Sequence, residues 1–351
     1  MYIRNAWYMA GWTRDFTAGA PKAITLLDEP LVVYRQADGP LVILEDRCCH
    51  RLAPLSLGRI EGNDIRCLYH GLKFAPDGAC NEMPGHTAIP KAMKVRAFPV
   101  VERYSAVFVW MGDPAKADDS LIPLFVGPDD PAWYMAPGRM DYDVNYELIQ
   151  DNLLDLSHIA WVHRNSFGGG NAASNKAWAE AELRITALPR GVRVERWMKD
   201  AATPPPQVPH VGPLCDALTS FDYLVPGYFI LNSSFYRPGA AERAGLDRPQ
   251  EAPVFSSFTA QAVTPLTKKS TSYFFCFGPW ARVGGDPDVH RKAFADLGYL
   301  AFNEDRVMLT AQQQVIDADP SRRMLLFDVD KAPVQYRRLV EKLMKDESTA
   351  A

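Results

Sequence analysis

The chain has 351 residues, of which 47% are hydrophobic and 23% are charged, and its formal net charge at pH 7 is −4. This composition is that of a globular protein with room for two domains, each with its own core. The slightly acidic balance gives no reason to expect a nucleic acid or an anionic membrane surface as a partner.

The first residues, MYIRNAWYMAGW, lack the charged region and the long apolar core of a secretory signal peptide. No apolar run approaches the roughly 20 residues of a membrane-spanning helix. Six cysteines, two of them adjacent, do not resemble a disulfide framework, which favours metal ligation or free thiols. We therefore expect a cytoplasmic protein.

Short strands separated by turns fill the first third of the chain. Turn residues such as Ala37-Asp38-Gly39-Pro40 and Pro76-Asp77-Gly78 favour tight connections between them. Apolar runs predict strands at residues 31–34, 41–44, 64–68, 72–74 and 107–111. This pattern predicts a small antiparallel β domain.

Two short cysteine–histidine motifs lie at strand ends in this region. Cys48 and His50 form a C-x-H motif, and Cys67 and His70 form a C-x2-H motif after sixteen intervening residues. A zinc site is one interpretation, although zinc fingers usually keep cysteine with cysteine and histidine with histidine. The alternation within each motif favours a Rieske [2Fe–2S] cluster, in which two cysteines bind one iron and two histidines the other. Cys49 occupies the x position, so the spacing favours Cys48 as the ligand.

The stretch ELIQDNLLDLSHIAWVH, residues 147–163, reads as one amphipathic helix. Asn152, Asp155 and His158 follow at intervals of three and would project from one side. For His158 and His163 to reach one point, the helix must end, tighten or carry a π-type bulge between them. Two imidazoles and one carboxylate are the ligand set of non-haem Fe(II) oxygenases. A pair of unrelated core or surface histidines is the alternative.

In the rest of the chain, the sequence patterns predict strands followed by helices. Residues 113–142, rich in Asp, Pro and Ala, are the expected bridge between domains, and Gly168-Gly169-Gly170 marks a turn. A hairpin is expected over residues 181–198, strands over 228–236, 254–264 and 271–277, and helices over 287–315 and around 336–344. An antiparallel sheet combined with helices predicts an α+β domain.

The cysteine–histidine motifs, followed by Asn-x2-Asp-x2-His-x4-His, resemble the oxygenase component, or alpha subunit, of Rieske non-haem iron oxygenases. Within that family the chain is similar to the vanillate O-demethylase, dicamba monooxygenase and toluenesulfonate methyl-monooxygenase group. The likeness is dense over residues 1–165, thin afterwards, and returns near residue 300. It is carried by the segments IRNAWY, DRCCHRLAPLSLG, RCLYHGLKF, VVERY, VWMGDPA and DNLLDLSHIAWVH.

The resemblance implies an α+β fold in two domains. An N-terminal antiparallel β Rieske domain would occupy residues 1–115, and a linker would follow over residues 116–140. The C-terminal catalytic domain would occupy residues 141–351 and have a helix-grip fold, which is an antiparallel sheet around a helix. It further implies a [2Fe–2S] cluster on the four motif residues and a mononuclear Fe(II). The resemblance assigns these ligands to Cys48, His50, Cys67 and His70 for the cluster and to His158 and His163 for the Fe(II).

The third iron ligand is expected in the segment AFNEDRVML. On a helix Asp305 lies one turn from Phe302 and from Leu309, so it can share their inward face. Glu304 is the rival by residue type, and a solvated carboxylate beside Arg306 is the plain alternative. The resemblance to the Glu-Asp pair of the family favours Asp305.

The expected catalytic residues are Asp155 and Asn152. Asp155 can accept a hydrogen bond from the second nitrogen of a ligating histidine. In the family this Asp joins the iron to a cluster histidine of a neighbouring subunit in a ring-shaped homotrimer, which by motif position would be His70. Asn152 is expected to line the iron pocket, and a solvent-facing side chain is the alternative. Alignment to the dicamba branch places Asn232 and Gln261 where an Asn and a His hold the substrate carboxylate, and the glutamine removes a possible cation.

The resemblance implies a monooxygenase that uses O2 and receives NAD(P)H electrons through a separate flavin and [2Fe–2S] reductase or a ferredoxin. The chain has no G-x-G-x-x-G fingerprint, so NADH is not expected to bind here in the Rossmann manner. The expected reaction is O-demethylation or methyl hydroxylation of a small, vanillate-like aromatic compound. Ring dihydroxylation, a Rieske electron carrier without oxygenase chemistry and a zinc-stabilised binding protein are the alternatives.

Overall fold

The structure is a computed structural model, and it describes residues 2–37, 39–167, 172–181 and 183–349. It divides into two compact units, one formed by residues 1–122 and 264–268 and the other by residues 123–263 and 269–351. Two predicted turn positions, Asp38 and Gly168-Gly169-Gly170, lie outside the described residues. Within the described ranges, no helix has both the length and the apolar character needed to cross a bilayer.

The first unit contains three small antiparallel sheets, with strand orders β2-β3-β4-β9, β1-β11-β10 and β5-β6-β7-β8. Its strands are β1 (Trp7–Trp12), β2 (Lys22–Leu26), β3 (Glu29–Arg35), β4 (Leu41–Glu45), β5 (Arg59–Glu61), β6 (Asp64–Arg66), β7 (Lys73–Phe74), β8 (Cys80–Glu82), β9 (Ala97–Phe98), β10 (Val100–Arg103) and β11 (Ala106–Trp110). Each strand predicted in this region is present, and the antiparallel β domain is confirmed.

The cysteine–histidine motifs are supported by the core of this unit. Cys48 follows β4 and Cys67 follows β6, and both belong to one buried cluster with Leu55, Ile65 and Phe74. Because such a cluster is closely packed, the two motif loops start from fixed positions.

The second unit is organised around a seven-stranded sheet of order β12-β18-β17-β16-β15-β14-β13. Its strands are β12 (Ala136–Tyr142), β13 (Leu183–Leu188), β14 (Gly191–Ala202), β15 (Leu214–Leu224), β16 (Tyr228–Tyr236), β17 (Phe255–Thr267) and β18 (Ser270–Pro279). Its helices are α1 (Tyr146–Leu154), α2 (Ile159–Val162), α3 (Ala172–Glu180), α4 (Val208–Val211), α5 (Ala240–Arg243), α6 (Pro287–Ala318) and α7 (Lys331–Thr349).

The long helix α6 packs on the sheet through aromatic side chains. The ring of Phe302 lies 4.8 Å from that of Phe275 on β18, and the hydroxyl of Tyr142 on β12 donates to the Phe302 carbonyl at 2.7 Å. This packing fixes which face of α6 is buried, and Asp305 lies one turn beyond Phe302 on that face. The α+β class predicted from the sequence is confirmed.

Candidate metal centres and an adjoining cavity

The stretch of residues 147–163 does not form the single helix that its periodicity predicts. Helix α1 ends at Leu154, Asp155 has an extended backbone with φ −122° and ψ 96°, and a 3₁₀ helix spans Leu156–His158 before α2. The prediction of one continuous helix is wrong, because the Asp155 carboxylate accepts a hydrogen bond from the Ser157 N–H at 2.9 Å and so caps a new segment. The turn tightens before His158, and α2 ends just before His163.

Each of the two histidines is held by its Nδ1 atom. His158 Nδ1 lies 2.7 Å from the backbone oxygen of Asp155, and His163 Nδ1 lies 3.1 Å from Oε2 of Glu304. The sequence suggested that the Asp155 carboxylate would bond the second nitrogen of a ligating histidine, but the backbone carbonyl of Asp155 makes this contact. The carboxylate accepts from the N–H and the hydroxyl of Ser157. Because Nδ1 is engaged in both rings, Nε2 is the nitrogen left for a metal.

Asp305 on α6 completes a convergent set. The residue is 5% exposed, and its Oδ1 lies 3.5 Å from His158 Nε2 and its Oδ2 3.5 Å from His163 Nε2. One ligand atom from each of the three residues lies within 4.8 Å of the others. The Asn152 amide nitrogen is 3.2 Å from Asp305 Oδ1 and 3.4 Å from His158 Nε2, so Asn152 borders the same point.

Burial sets the protonation of these groups. It raises the pKa of Asp305 to about 6, although the neighbouring His158 opposes this shift, and it lowers the pKa of His158 and of His163. Neutral imidazoles and a carboxylate are the forms that bind a divalent metal. Two Nε2 atoms and one carboxylate that meet at a point therefore fit the two-histidine, one-carboxylate set of a mononuclear iron site.

The two cysteine–histidine motifs of the first unit fold into matching turns. In each turn the cysteine N–H donates at 2.8 Å to the carbonyl five residues later, and the cysteine carbonyl accepts at 2.9 or 3.0 Å from the N–H four residues later. The residue four positions after the cysteine has a positive φ, 59° at Leu52 and 76° at Gly71. Glycine adopts this conformation readily, whereas leucine adopts it at a cost.

These turns place the cysteines inside and the histidines outside. Cys48 and Cys67 are each 2% exposed, whereas His50 and His70 are exposed, with ring centroids 4.5 Å apart. Burial raises the pKa of the Cys48 thiol to about 11. Two thiols at one pole and two imidazoles at the other fit a Rieske [2Fe–2S] cluster, whose irons take these ligands separately. Cys49 is partly buried and packs against the core cluster that contains both cysteines.

Arg66 ties the second motif turn to the neighbouring strands. Its Nη1 donates to the Gly71 carbonyl at 2.6 Å, Nε to Glu61 at 2.8 Å and Nη2 to Glu82 at 2.8 Å. These bonds hold the pKa of both carboxyls at about 2. One guanidinium thus fixes the backbone immediately after His70.

A cavity of about 110 Å³ adjoins the three convergent residues. Leu156 and Ile159, on either side of His158, line it, and so does Phe167, whose ring lies 5.1 Å from that of His163. Strands β14–β18 form the facing wall. Most lining side chains are apolar, as in sites that bind small organic molecules.

Gln261 and Asn232 lie on different faces of the sheet. Gln261 is 3% exposed and shares a face of β17 with Ser257, which lines the cavity. Asn232 precedes the cavity-lining Ser233 on β16, so its side chain points to the other face, where it accepts from the Ser234 hydroxyl at 3.1 Å. The structure brings Gln261 to the cavity face of the sheet and does not bring Asn232 there.

Sequence reasoning missed the role of Glu304, which it treated only as a rival ligand. Glu304 accepts from His163 Nδ1 and from both nitrogens of Asn165 at 3.1 Å each, and from the Ser166 hydroxyl at 2.6 Å. The adjacent Glu-Asp pair was the available signal. Consecutive helix positions point about 100° apart, so one carboxylate can face a metal while the other holds a ligand.

The chain matches two protein-family descriptions, a Rieske [2Fe-2S] domain over residues 6–99 and a vanillate O-demethylase oxygenase C-terminal domain over residues 142–346. It is 38% identical to the iron–sulfur subunit of the toluene-4-sulfonate monooxygenase system of Comamonas testosteroni, over 99% of each chain. It is 32% identical to the oxygenase component of dicamba O-demethylase from Stenotrophomonas maltophilia, over 97% of this chain and 98% of that one. A crystal structure of dicamba monooxygenase with non-heme iron and dicamba matches with a TM-score of 0.75 and 29% identity, over 100% of this chain and 99% of that one.

Proposed function

Because the chain belongs to the vanillate O-demethylase oxygenase family of Rieske monooxygenases, we propose that it demethylates or hydroxylates a methyl group on a substituted aromatic compound. It is the oxygenase component of such a system, with a Rieske [2Fe–2S] cluster and a mononuclear iron as cofactors. A separate reductase or ferredoxin supplies its electrons. The family and the monooxygenase chemistry predicted from the motifs are confirmed.

The convergence of His158, His163 and Asp305 beside a mostly apolar cavity carries the proposal, in which these three residues bind the iron. When bound, the iron, with electrons from the cluster, supplies the dioxygen chemistry that places one oxygen atom into a substrate C–H bond. The Asp155 carbonyl and the Glu304 carboxylate hold the imidazoles with Nε2 inward. Apolar walls exclude water from the substrate.

In the same proposal Cys48, His50, Cys67 and His70 bind the cluster. The buried thiols and exposed imidazoles of the matching turns support this assignment. The division into a cluster domain (1–115), a linker (116–140) and an iron domain (141–351) is also part of the proposal. The family matches at residues 6–99 and 142–346 support it.

The reaction depends on where the methyl group is attached. Oxygen insertion into an O-methyl group gives a hemiacetal, which breaks down to a phenol and formaldehyde. Insertion into a ring methyl group stops at the benzylic alcohol. Both outcomes have support from relatives, one named for toluene-4-sulfonate and the other for dicamba O-demethylation. Gln261 is the proposed substrate-facing residue, and for Asn232 that role stays a prediction.

We propose a homotrimer in which Asp155 joins the iron site of one copy to His70 of a neighbouring copy. Apolar side chains beside the cluster histidines support a docking surface there, because Leu52, Leu68 and Tyr69 are 64%, 57% and 62% exposed. A flavin and [2Fe–2S] reductase or a ferredoxin would deliver electrons from NAD(P)H. The proposed location is the cytoplasm, and no nucleic acid or membrane is proposed as a partner.

Turnover of the reconstituted system tests this proposal. The iron-loaded protein would be supplied with NADH and a reductase, and offered methoxy- and methyl-substituted aromatic compounds while oxygen uptake, formaldehyde and hydroxylated products are measured. Formaldehyde equal to the oxygen consumed identifies an O-demethylase, and benzylic alcohol without formaldehyde identifies a methyl hydroxylase. A cis-dihydrodiol product would replace the proposal with ring dihydroxylation.

A further inference from the structure

Arg196 is a buried cation on the cavity face of the sheet. On β14 it is directly opposite Thr219 of β15, which lines the cavity, so the two side chains leave the sheet on the same face. Thr219 is opposite Ser233 on β16, and Ser233 is opposite Ser257 on β17. The four residues form a polar row in which Arg196 carries the charge. Directly opposed Cβ atoms are about 5 Å apart, so the guanidinium and the Thr219 hydroxyl can contact one small group.

The guanidinium has no counter-ion among the described residues. Arg196 is 5% exposed, its Nη1 atom is buried without a hydrogen-bond partner in the described ranges, and no ion pair joins it to a described acid. Burial lowers the pKa of Arg196 to about 10, so the side chain is protonated at neutral pH. A buried charge without a partner is costly, so we expect an anion to complete this site.

The acids around Arg196 have other partners. The carboxylate of Asp155 acts on the guanidinium from a distance, but it accepts from the N–H and the hydroxyl of Ser157 at 2.9 Å each. Arg196 also lines a second cavity, of about 320 Å³. Two acids of that cavity are paired with other arginines, at 2.8 Å for Glu195 with Arg248 and at 2.9 Å for Asp247 with Arg184.

Trp178 holds the guanidinium at the margin of the apolar cavity. The ring of Trp178 lies 4.8 Å from Cζ of Arg196, and Trp178 lines that cavity, as Thr219 does. Arg196 therefore adjoins two lining residues. A cation–π contact is weaker than a charged hydrogen bond, so the indole does not replace a counter-ion.

Arg196 and the iron site lie toward different ends of the cavity wall. Helix α6, which carries Asp305, packs on β18 through Phe302 and Phe275, whereas Arg196 lies on β14, with three strands between the two. Neighbouring strands are about 4.8 Å apart. An aromatic ring between these ends can direct a methyl group to the iron site and a substituent on the other side of the ring to the guanidinium.

We propose that Arg196 binds the anionic substituent of the substrate, a carboxylate or a sulfonate on the aromatic ring, and that the Thr219 hydroxyl donates to the same group. This inference rests on the proposed function and narrows its substrate class to aromatic acids. The planar guanidinium can bond two oxygens of either group at once. Gln261 carries no charge, so Arg196 supplies the cation from a different strand.

Calorimetric titration of the oxidised, iron-loaded protein without reductase tests the inference. The probes are two pairs of nearly equal shape, p-toluenesulfonate with p-toluenesulfonamide and p-methoxybenzoate with p-methoxybenzamide. We expect the anionic member of at least one pair to bind at least about tenfold more tightly, and that pair identifies the anion. Arg196→Met should weaken this anion about 10- to 100-fold and its neutral partner by less than about threefold.

Two further variants keep the test open if Arg196→Met does not fold. Arg196→Lys keeps the charge but not the two-pronged geometry, so its affinity for the anion should lie between those of Arg196→Met and the wild type. Thr219→Val should weaken the anion about fivefold, because it removes one hydrogen bond.

Arg193→Met is the matched control. Arg193 lies on the same strand, three positions before Arg196, so its side chain points to the opposite face, where it bonds Asp222 at 2.6 and 2.8 Å. This variant should bind all four probes as the wild type does. Equal or tighter binding of the neutral members by the wild type, or equal weakening of both members of each pair in Arg196→Met, would overturn the inference.

Turnover separates this result from the proposed function. Anion selectivity that depends on Arg196, without oxygen insertion into any methyl-bearing aromatic compound, would support the inference and contradict the proposed reaction. Oxidation of anionic and neutral compounds with KM values that Arg196→Met leaves unchanged would overturn the inference and leave the oxygenase proposal standing. A lower kcat for every substrate at unchanged binding would also overturn it, because Arg196 would then act through Asp155.

Discussion

His163 Nδ1 lies 3.1 Å from Oε2 of Glu304, although the two residues are 141 positions apart in the chain. The next residue, Asp305, directs its carboxylate to Nε2 of the same imidazole at 3.5 Å. One turn of α6 therefore supplies both the carboxylate that faces the proposed iron position and the carboxylate that sets the orientation of a ligating ring.

Replacement of Glu304 should weaken iron binding without removing any proposed ligand. In Glu304→Ala the His163 ring loses the partner of its Nδ1, and we expect the Kd for Fe(II) to rise about 10- to 100-fold. Glu304→Gln keeps an oxygen that can accept from Nδ1 and should show a smaller rise. Titration of Fe(II) into protein depleted of mononuclear iron measures both values.

The control for this series is Asp296→Asn on the same helix. Asp296 makes an exposed ion pair with Lys292 at 2.6 Å, a kind of contact that contributes little. The Asp296→Asn substitution should therefore leave the Kd for Fe(II) unchanged. Wild-type iron affinity in Glu304→Ala would show that Glu304 does not orient His163.

Iron binding should weaken as the pH falls below about 6, where the Asp305 carboxyl of the metal-free protein becomes protonated. A proton must then leave before iron binds, so the Kd should rise about tenfold for each further pH unit. The lowered pKa values of His158 and His163 keep both imidazoles neutral at the start of this range. Titrations between about pH 7 and pH 5 measure the effect, and a constant Kd would contradict it.

The raised pKa of Asp305 has the opposite effect on the folding of the metal-free protein, which becomes less favourable as the pH rises. The raised pKa of Asp305 stabilises the fold at pH values below the ordinary carboxyl pKa of 3.8, and this contribution is lost as the pH rises through about 6. Iron should restore stability at neutral pH, because it binds the ionised carboxylate in the folded state. Thermal unfolding at a pH below 3.8 and at neutral pH, each with and without Fe(II), checks how the stability of the fold depends on pH and on iron.

Arg66 should be needed to retain the cluster. Arg66→Gln cannot bond Gly71, Glu61 and Glu82 together, so the turn that carries His70 loses its anchor. We expect the cluster to be lost about tenfold faster on dilution. Visible absorbance and inorganic sulfide content measure this loss. Arg59→Gln, which removes only an exposed bond to Glu61, is the control. Equal cluster lifetimes in the two variants would contradict this role.

The parts of the site that are local in sequence could be predicted. Cys48 and His50, like Cys67 and His70, are close neighbours in the chain, so their spacing alone favours one kind of cluster. The role of Glu304 could not be derived in this way, because its partner His163 lies on a distant segment and the contact depends on how α6 packs.

One error of detail has a physical reason. Helical periodicity continues through Asp155, but an Asp followed two residues later by Ser can cap a new turn, and this local bond outweighs the continuous pattern. The role of Asn232 stays a prediction that rests on an alignment, and an alignment does not record the alternation of side chains along a strand. A shift of one residue on β16 moves a side chain from the cavity to the opposite face.

His158→Ala tests most directly the claim that the chain holds two separate metal centres. The measurement is the EPR spectrum of the dithionite-reduced variant beside the wild type, with turnover assayed on the same preparations. We predict an unchanged Rieske signal and complete loss of product, because His158 belongs only to the proposed iron site in the second unit. Loss of the Rieske signal together with turnover, or turnover that survives the substitution, would contradict the claim.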